Sequence, residues 1–306
     1  MDNTPYALDN GDVMTLRDLL HSNKTPIFLD GAMGTQLGEA GLEMGGQNCV
    51  TNPGAVAEVH KAYAASGIDL LITNTLTMNR INLDAHNVGV GVQEVNAAGA
   101  KLARSAAEPG QYVLGDISST GKLLQPYGPL PEEEAFVAFK EQAAILAEAG
   151  VDGFIIETMV DLRESLCAVR AAREASKLPL LATIAFNTAA NGARTVMGNT
   201  AQDCAKALDE AGASAVGTNC GGVDPAEMAQ VIALMREATS LPLMAQPNAG
   251  KGRMVEGSLV FDMSPEDFAD GLQACVQAGA RLVGGCCGTS PRHIKAAVDL
   301  LAPARG

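Results

Sequence analysis

Eight short apolar runs, each followed by a Gly- or polar-rich break and then a helical pattern, predict an α/β fold of a single domain, a (β/α)8 TIM barrel. Two further observations support that class. The alternation continues from residue 26 onward with no shift in composition, so no domain boundary interrupts it. The runs are apolar throughout rather than alternating, as suits parallel strands buried on both faces. A doubly wound open sheet is the main competing arrangement.

Residues 1–25 form a tail and a short amphipathic segment, TLRDLLHS, expected to cover one end of the core; residues 26–306 form the barrel. The strands are expected at Ile27–Leu29, Leu70–Thr73, Val113–Leu114, Gly153–Ile156, Leu180–Ile184, Ala215–Gly217, Leu243–Ala245 and Arg281–Val283. Between them lie segments such as AVAEVHKAYAASG, EEEAFVAFKEQAAILAEAG, LRESLCAVRAAREA and PEDFADGLQACVQAG. Several carry apolar residues three and four apart, the mark of a helix laid on a core. Gly67, Gly150, Gly212 and Gly279 each stand where such a helix should stop. Two stretches exceed a minimal connection: 81–95, and 244–261, which leaves the seventh strand and is read as an active-site loop.

Hydrophobic residues make up 47% of the 306, enough for one large core. The formal charge of −14 argues against a nucleic acid or an anionic membrane as partner. The N-terminus lacks a basic region followed by an apolar run, and no stretch resembles a membrane span. A cytoplasmic protein is expected, with a homo-oligomer left open. Seven irregularly spaced cysteines in a chain of this size suggest a reducing compartment, where thiols concern metal or catalysis rather than stapling.

Each expected strand ends in a polar group. In order these are Asp30; Thr73, Asn74 and Thr75; Asp116 and Ser118; Glu157 and Thr158; Asn187; Asn219 and Cys220; Gln246 and Asn248; Cys286 and Cys287. In a barrel these ends share one rim, where the active site sits. Cys286 and Cys287 lie in GGCCGTS, and adjacent side chains converge only where a strand has ended and the backbone curls. With Cys220 they offer three thiolates to one Zn2+, leaving a fourth position open. The competing reading is three ordinary buried thiols. A zinc held by sulfur suits a further sulfur ligand, so the chemistry implied is alkyl transfer to a substrate thiol. Asp30 and Glu157 would take an ammonium, and N–H groups of the DGAMG and GTS turns a carboxylate, which together describe an amino-acid thiol. Cys49, Cys167, Cys204 and Cys275 read as packing residues; His60, His86 and His293 read as surface or capping residues. Asn79 and Arg80 either contact a substrate or pin their loop. No GxGxxG or GKS/T loop supports a nucleotide binder.

The segments LDGAMGTQL, TNTLTMNRINL, ISSTGK, FIIETMVDLRE, GTNCGG, PLMAQPNAG and GGCCGTSPRHI resemble those of the homocysteine S-methyltransferase family. That family includes the homocysteine-binding barrel of cobalamin-dependent methionine synthase and stand-alone relatives using betaine or S-methylmethionine. The resemblance implies that Cys220, Cys286 and Cys287 are zinc ligands and that Asp30 and Glu157 hold the amino group of homocysteine. It also implies that Gly31 and Ala32 belong to the carboxylate-binding turn, with Thr158 and Asn219 supporting the site. Leu76 stands where the family usually has an aromatic residue, and Pro225 lies further beyond the first zinc cysteine than usual. These departures leave the metal and thiol chemistry intact and bear on the donor side and on the acceptor's identity.

The activity expected is zinc-dependent methyl transfer to homocysteine, giving methionine. With no Trp, seven Phe and four Tyr, the chain has little material for an aromatic cage around a cationic donor. Tyr127 is the one rim aromatic nominated. This scarcity favours a methyl group carried as methylcobalamin on a separate corrinoid protein. A small sulfonium or quaternary ammonium donor, a different thiol acceptor in a demethylation system, and a non-catalytic zinc- or thiol-binding barrel are the alternatives.

Overall fold

The computed structural model describes residues 14–23, 26–255 and 258–302. Eight parallel strands form the barrel: β1 (Ile27–Phe28), β2 (Leu70–Ile72), β3 (Tyr112–Ile117), β4 (Gly153–Met159), β5 (Leu180–Ile184), β6 (Ala215–Asn219), β7 (Leu243–Gln246) and, after a hairpin of β8 (Arg253–Val255) and β9 (Ser258–Val260), β10 (Ala280–Val283). Their order in the sheet is β1-β10-β7-β6-β5-β4-β3-β2. A parallel bridge from Leu29 to Leu70, with Asp69 N–H donating to Phe28 O at 2.8 Å, joins β1 to β2. That join excludes the open doubly wound sheet. Every strand run expected from the sequence is present; β3 and β4 extend further toward the rim than their apolar cores suggested.

The uninterrupted apolar runs follow from burial on both faces. Ile27, Leu70, Leu114, Ile155, Leu181, Ala215, Met244 and Leu282 fill the barrel interior. Their neighbours in sequence, among them Phe28, Leu71, Val113, Phe154 and Val283, pack outward against the helices. Leu16, Leu19 and Leu20 of the helix Leu16–His21 join the interior set, so this helix plugs the end opposite the site. Thr15 and Asp18 close a capping box at its start, and Arg281 of β10 donates to Leu19 O and Leu20 O near its end. Residues 1–13 of the tail lie outside the described residues. Gly67, Gly150, Gly212 and Gly279 all take positive φ after helices, as the capping pattern required.

Two stretches differ from their reading as long connections. Residues 81–95 are mostly helical: Asn79 caps the helix Arg80–His86 by accepting from Asn82 N–H, and left-handed Asn87 ends it before the helix Val92–Ala106. Asn79 also donates to Ser119 O and Arg80 pairs with Glu141, so both residues pin the loop. The stretch 244–261 holds the antiparallel β8–β9 hairpin. Cys49, Cys167, Cys204 and Cys275 are buried packing residues. His293 serves as a cap, bonded to Ser290, and His86 Nδ1 bonds Asn82 O. His60 is not at the surface: it is fully buried on the helix Pro53–Ala64, and neither ring nitrogen has a partner.

Candidate functional site

β6 delivers Cys220 in a left-handed conformation (φ 55°), its N–H donating to Gln246 O at 3.1 Å. Gly221 follows at φ 74°, where a Cβ would lie 2.2 Å from Phe186 O, so only glycine lets the chain turn away there. At the end of β10 the backbone is tied to both neighbours. Gly285 N–H donates to Asp30 O, Cys286 N–H to Pro247 O, and Ala249 N–H to Cys287 O, at 2.8–3.0 Å. A Cβ on Gly285 would stand 2.5 Å from Thr289 Oγ1, which explains the glycine before the paired cysteines.

These turns bring the sulfurs of Cys220, Cys286 and Cys287 within 4.8 Å of one another, with Cys220 and Cys287 3.9 Å apart. Thiolates around a tetrahedral metal with bonds of about 2.3 Å stand roughly 3.8 Å apart, so the three sulfurs fit one face of such a site. The proximity of the three sulfurs lowers the Cys220 thiol far below its ordinary value and pushes the other two up.

A cavity of about 230 Å³ adjoins the sulfurs. It is lined by Asp30, Asp116, Glu157, Gln246, Cys286 and Cys287, with Met33, Met44, Leu76 and Thr77 adding an apolar side. Asp30 Oδ2 accepts from Ile72 N–H at 2.9 Å, and Glu157 Oε2 from Asn219 Nδ2 at 2.8 Å. Asp116 lines the same cavity as Glu157, and its Oδ1 has no hydrogen-bond partner. Burial raises the pKa of all three carboxyl groups. Repulsion from Glu157 adds to the rise at Asp30 and Asp116, and the Cys220 charge helps bring Glu157 to about 8. Among the described residues no Lys, Arg or His lines this cavity. Its field therefore favours a cationic group on the ligand.

The remaining residues singled out in the sequence take different places. Asn219 is fully buried and joins several groups: Oδ1 accepts from Thr158 N–H (2.8 Å) and Thr183 Oγ1 (2.7 Å), while Nδ2 reaches Glu157 and Thr158 Oγ1 and lies 3.9 Å from Cys286 Sγ. Thr158 lines the cavity at φ 57°, beside a register shift between β4 and β5. Gly31, Ala32 and Asn74 also line it. The Ala32 N–H, however, is already given to Thr289 Oγ1 at 3.0 Å and is not free for a carboxylate. Ser118 lies under the site, donating to Glu157 O at 2.6 Å. Tyr127 is a correction: it is 70% exposed and outside the cavity lining, because residues 124–130 fold back on themselves through Gln125 N–H to Leu130 O. Asp116 and Gln246, placed on the rim from sequence without a specific role, both line the cavity, whereas Tyr63 had no site role assigned from sequence. Tyr63, inside a helix, carried no signal.

Fold and site together define a (β/α)8 barrel with a three-thiol, metal-capable centre facing an acidic cavity. The chain belongs to the homocysteine S-methyltransferase family, whose model matches residues 27–301. It is 28% identical over 300 residues to methionine synthase of Mycobacterium leprae, covering 91% of this chain and 24% of that protein. It is 28% identical over 287 residues to methionine synthase of Mycobacterium tuberculosis, covering 87% and 24%. The chain thus spans about a quarter of the length of these relatives. The metallated form of the homocysteine methyltransferase MmuM from Escherichia coli matches with a TM-score of 0.75 at 23% identity, over 93% of this chain and 99% of that one. This last likeness bears on the fold. No helix among the described residues is long and apolar enough to cross a membrane.

Proposed function

We propose that the protein is a zinc-dependent S-methyltransferase that moves a methyl group to the thiol of homocysteine, giving methionine. One observation carries the reading: of three sulfurs spaced for one metal, those of Cys286 and Cys287 border the same cavity as the acidic groups of Asp30, Asp116 and Glu157. Cys220, Cys286 and Cys287 would hold the zinc, which when bound lowers the pKa of a substrate thiol and presents it as a thiolate. Asp30 and Glu157 bind the ammonium of the acceptor, and Asn219 holds Glu157 in place. The acceptor sulfur bonds to the methyl carbon as the donor's bond to that carbon breaks, and the donor leaves with the electron pair. The family membership and the relatives named methionine synthase support homocysteine as acceptor. Seven free cysteines suit a reducing cytoplasm.

For the donor, we favour methylcobalamin on a separate corrinoid protein. Among the described residues no aromatic side chain lines the cavity to cage a quaternary ammonium. About 230 Å³ leaves little room beyond an amino acid, so a large cofactor must present its methyl group from outside. Met44, Tyr127, Val196 and Met254 are exposed apolar residues on loops after barrel strands, a surface suited to such a partner. A small sulfonium donor is the second reading, since the cavity lining holds three acidic groups and no basic one among the described residues. The test is methyl transfer to homocysteine from a methylated corrinoid protein, methylcobalamin, S-methylmethionine, betaine and methyl-folate in parallel. Methionine from the corrinoid donors is expected. Product from S-methylmethionine alone selects the second reading, and product from none leaves a binding barrel or another acceptor.

A further inference from the structure

We propose that Gln246 is a further acceptor-binding residue: its side-chain oxygen accepts an N–H of the ammonium that Asp30 and Glu157 hold. This rests on the reading of the acceptor as an amino-acid thiol.

The position of Gln246 carries the argument. It ends β7 and lines the cavity together with Asp30 and Glu157. On one side its register partner is Asn219 of β6, whose Nδ2 donates to Glu157 Oε2 at 2.8 Å. On the other side β10 separates β7 from β1, and the residue between them at this level is Gly284. A Cβ on Gly284 would lie 2.8 Å from Asp30 O and 3.4 Å from Gln246 Cγ. Those two atoms therefore stand no further apart than the two distances combined, about 6 Å. The absent side chain lets Gln246 and Asp30 approach across β10. Gln246 thus occupies the wall between the two acids assigned to the ammonium.

Its amide oxygen is unspent. Gln246 is 1% exposed, and Oε1 has no hydrogen-bond partner. A buried acceptor is normally paired, yet among the described residues no Lys, Arg or His lines the cavity to pair it. Asp30 and Glu157 differ, since each already has one oxygen bonded to the protein, by Ile72 N–H and Asn219 Nδ2. A carboxyl oxygen such as Asp116 Oδ1, also unpartnered, can meet its own need by taking up a proton; an amide oxygen cannot. The donor for Oε1 therefore comes with the ligand. A primary ammonium has three N–H groups, one for each acid and a third for Oε1. The acceptor's thiol is given to the metal in that reading, and its carboxylate has no hydrogen to offer.

The test compares Gln246→Met, which keeps the volume and removes the amide, with Gln246→Glu, which keeps an oxygen at the same reach but no NH2 group. The zinc-loaded proteins are titrated calorimetrically with homocysteine and with 4-mercaptobutanoate, its analogue lacking the amino group. Gln246→Met is expected to raise the homocysteine Kd about 5- to 50-fold and to leave that of 4-mercaptobutanoate within about twofold. Gln246→Glu should hold the homocysteine Kd within about threefold of wild type. Without ligand, Gln246→Met should melt no lower than wild type, because the oxygen it removes has no partner to lose. An equal loss for both acceptors, with a lower melt, would make the amide structural and overturns the proposal. A homocysteine Kd unchanged in Gln246→Met overturns it too, while leaving homocysteine as the acceptor. So does a Glu variant as weak as Met, since the NH2 group would then be the working part. If wild type binds the two acceptors equally, the ammonium is not recognised at all, and the reading of an amino-acid thiol falls with the proposal.

Discussion

The Tyr63 hydroxyl meets Ala32 O at 3.0 Å and Thr289 O at 3.1 Å, so one fully buried phenol joins the turn after β1 to the turn that carries Cys286 and Cys287. Thr289 completes the link, accepting from Ala32 N–H and donating to Cys286 O at 2.7 Å. The acidic side of the cavity and the thiol side are thereby held as one unit.

Tyr63→Phe is expected to disturb both sides at once. The ring packing survives, but two buried carbonyls lose their shared donor, at a cost of about 1–3 kcal/mol. Thermal melts should fall by several degrees, and zinc titration should show weaker binding although Tyr63 is no ligand. Unchanged zinc affinity in a folded variant would show that the two turns are independent.

Cys286→Ala should abolish metal binding and lower methyl transfer by at least about a hundredfold, since removing one of three sulfurs leaves no closed face for the ion. Cys167→Ala, at a buried thiol remote from the cluster, should keep full metal content by elemental analysis. Full activity in a metal-free Cys286→Ala protein would end the zinc account.

The contrast between those two cysteines shows what was legible in the sequence. Cys220, Cys286 and Cys287 stood out because glycines surround them, and glycine marks backbone that a packing residue does not need. The barrel was legible because strands buried on both faces must be apolar at every position. Less visible was anything set by neighbouring strands. That Asp116 lines one cavity with Glu157 depends on the register of β3 against β4, which composition does not encode. Tyr63 reaches the site from a helix interior, and Tyr127 turns away because its loop bonds to itself. His60 was misread because an imidazole in an amphipathic helix pattern looks the same on either face.

Asp30→Asn separates binding from stability. The carboxyl of Asp30 is raised well above the usual carboxylate range, chiefly by burial, so its ionisation opposes folding once the pH exceeds the unfolded value near 4. The variant can keep the bond from Ile72 N–H without that charge. Ligand-free protein should therefore melt higher than wild type at pH 7 and lose the advantage near pH 4. Homocysteine KM should rise at least about tenfold. A variant that melts lower at pH 7 would contradict the account of Asp30 as an acid held ready for a cation.

His60 gives the acid limit of the fold. Its buried ring, bonded at neither nitrogen, is pushed down to about 4 from an ordinary value near 6.5, because burial penalises the charged form. Between these values the unfolded chain binds a proton that the folded chain refuses. The contribution of His60 is thus fully present above pH 6.5 and is lost as the pH falls toward 4, by about 3 kcal/mol in all. The expected observation is a difference between two denaturation series taken from pH 7 to pH 4. Wild type should lose stability more steeply than His60→Leu, which has no titrating group there. The gap should open below about pH 6.5 and level off near pH 4. Parallel curves would mean that the imidazole gains a proton inside the fold, and that a partner reaches it as the acid form builds up.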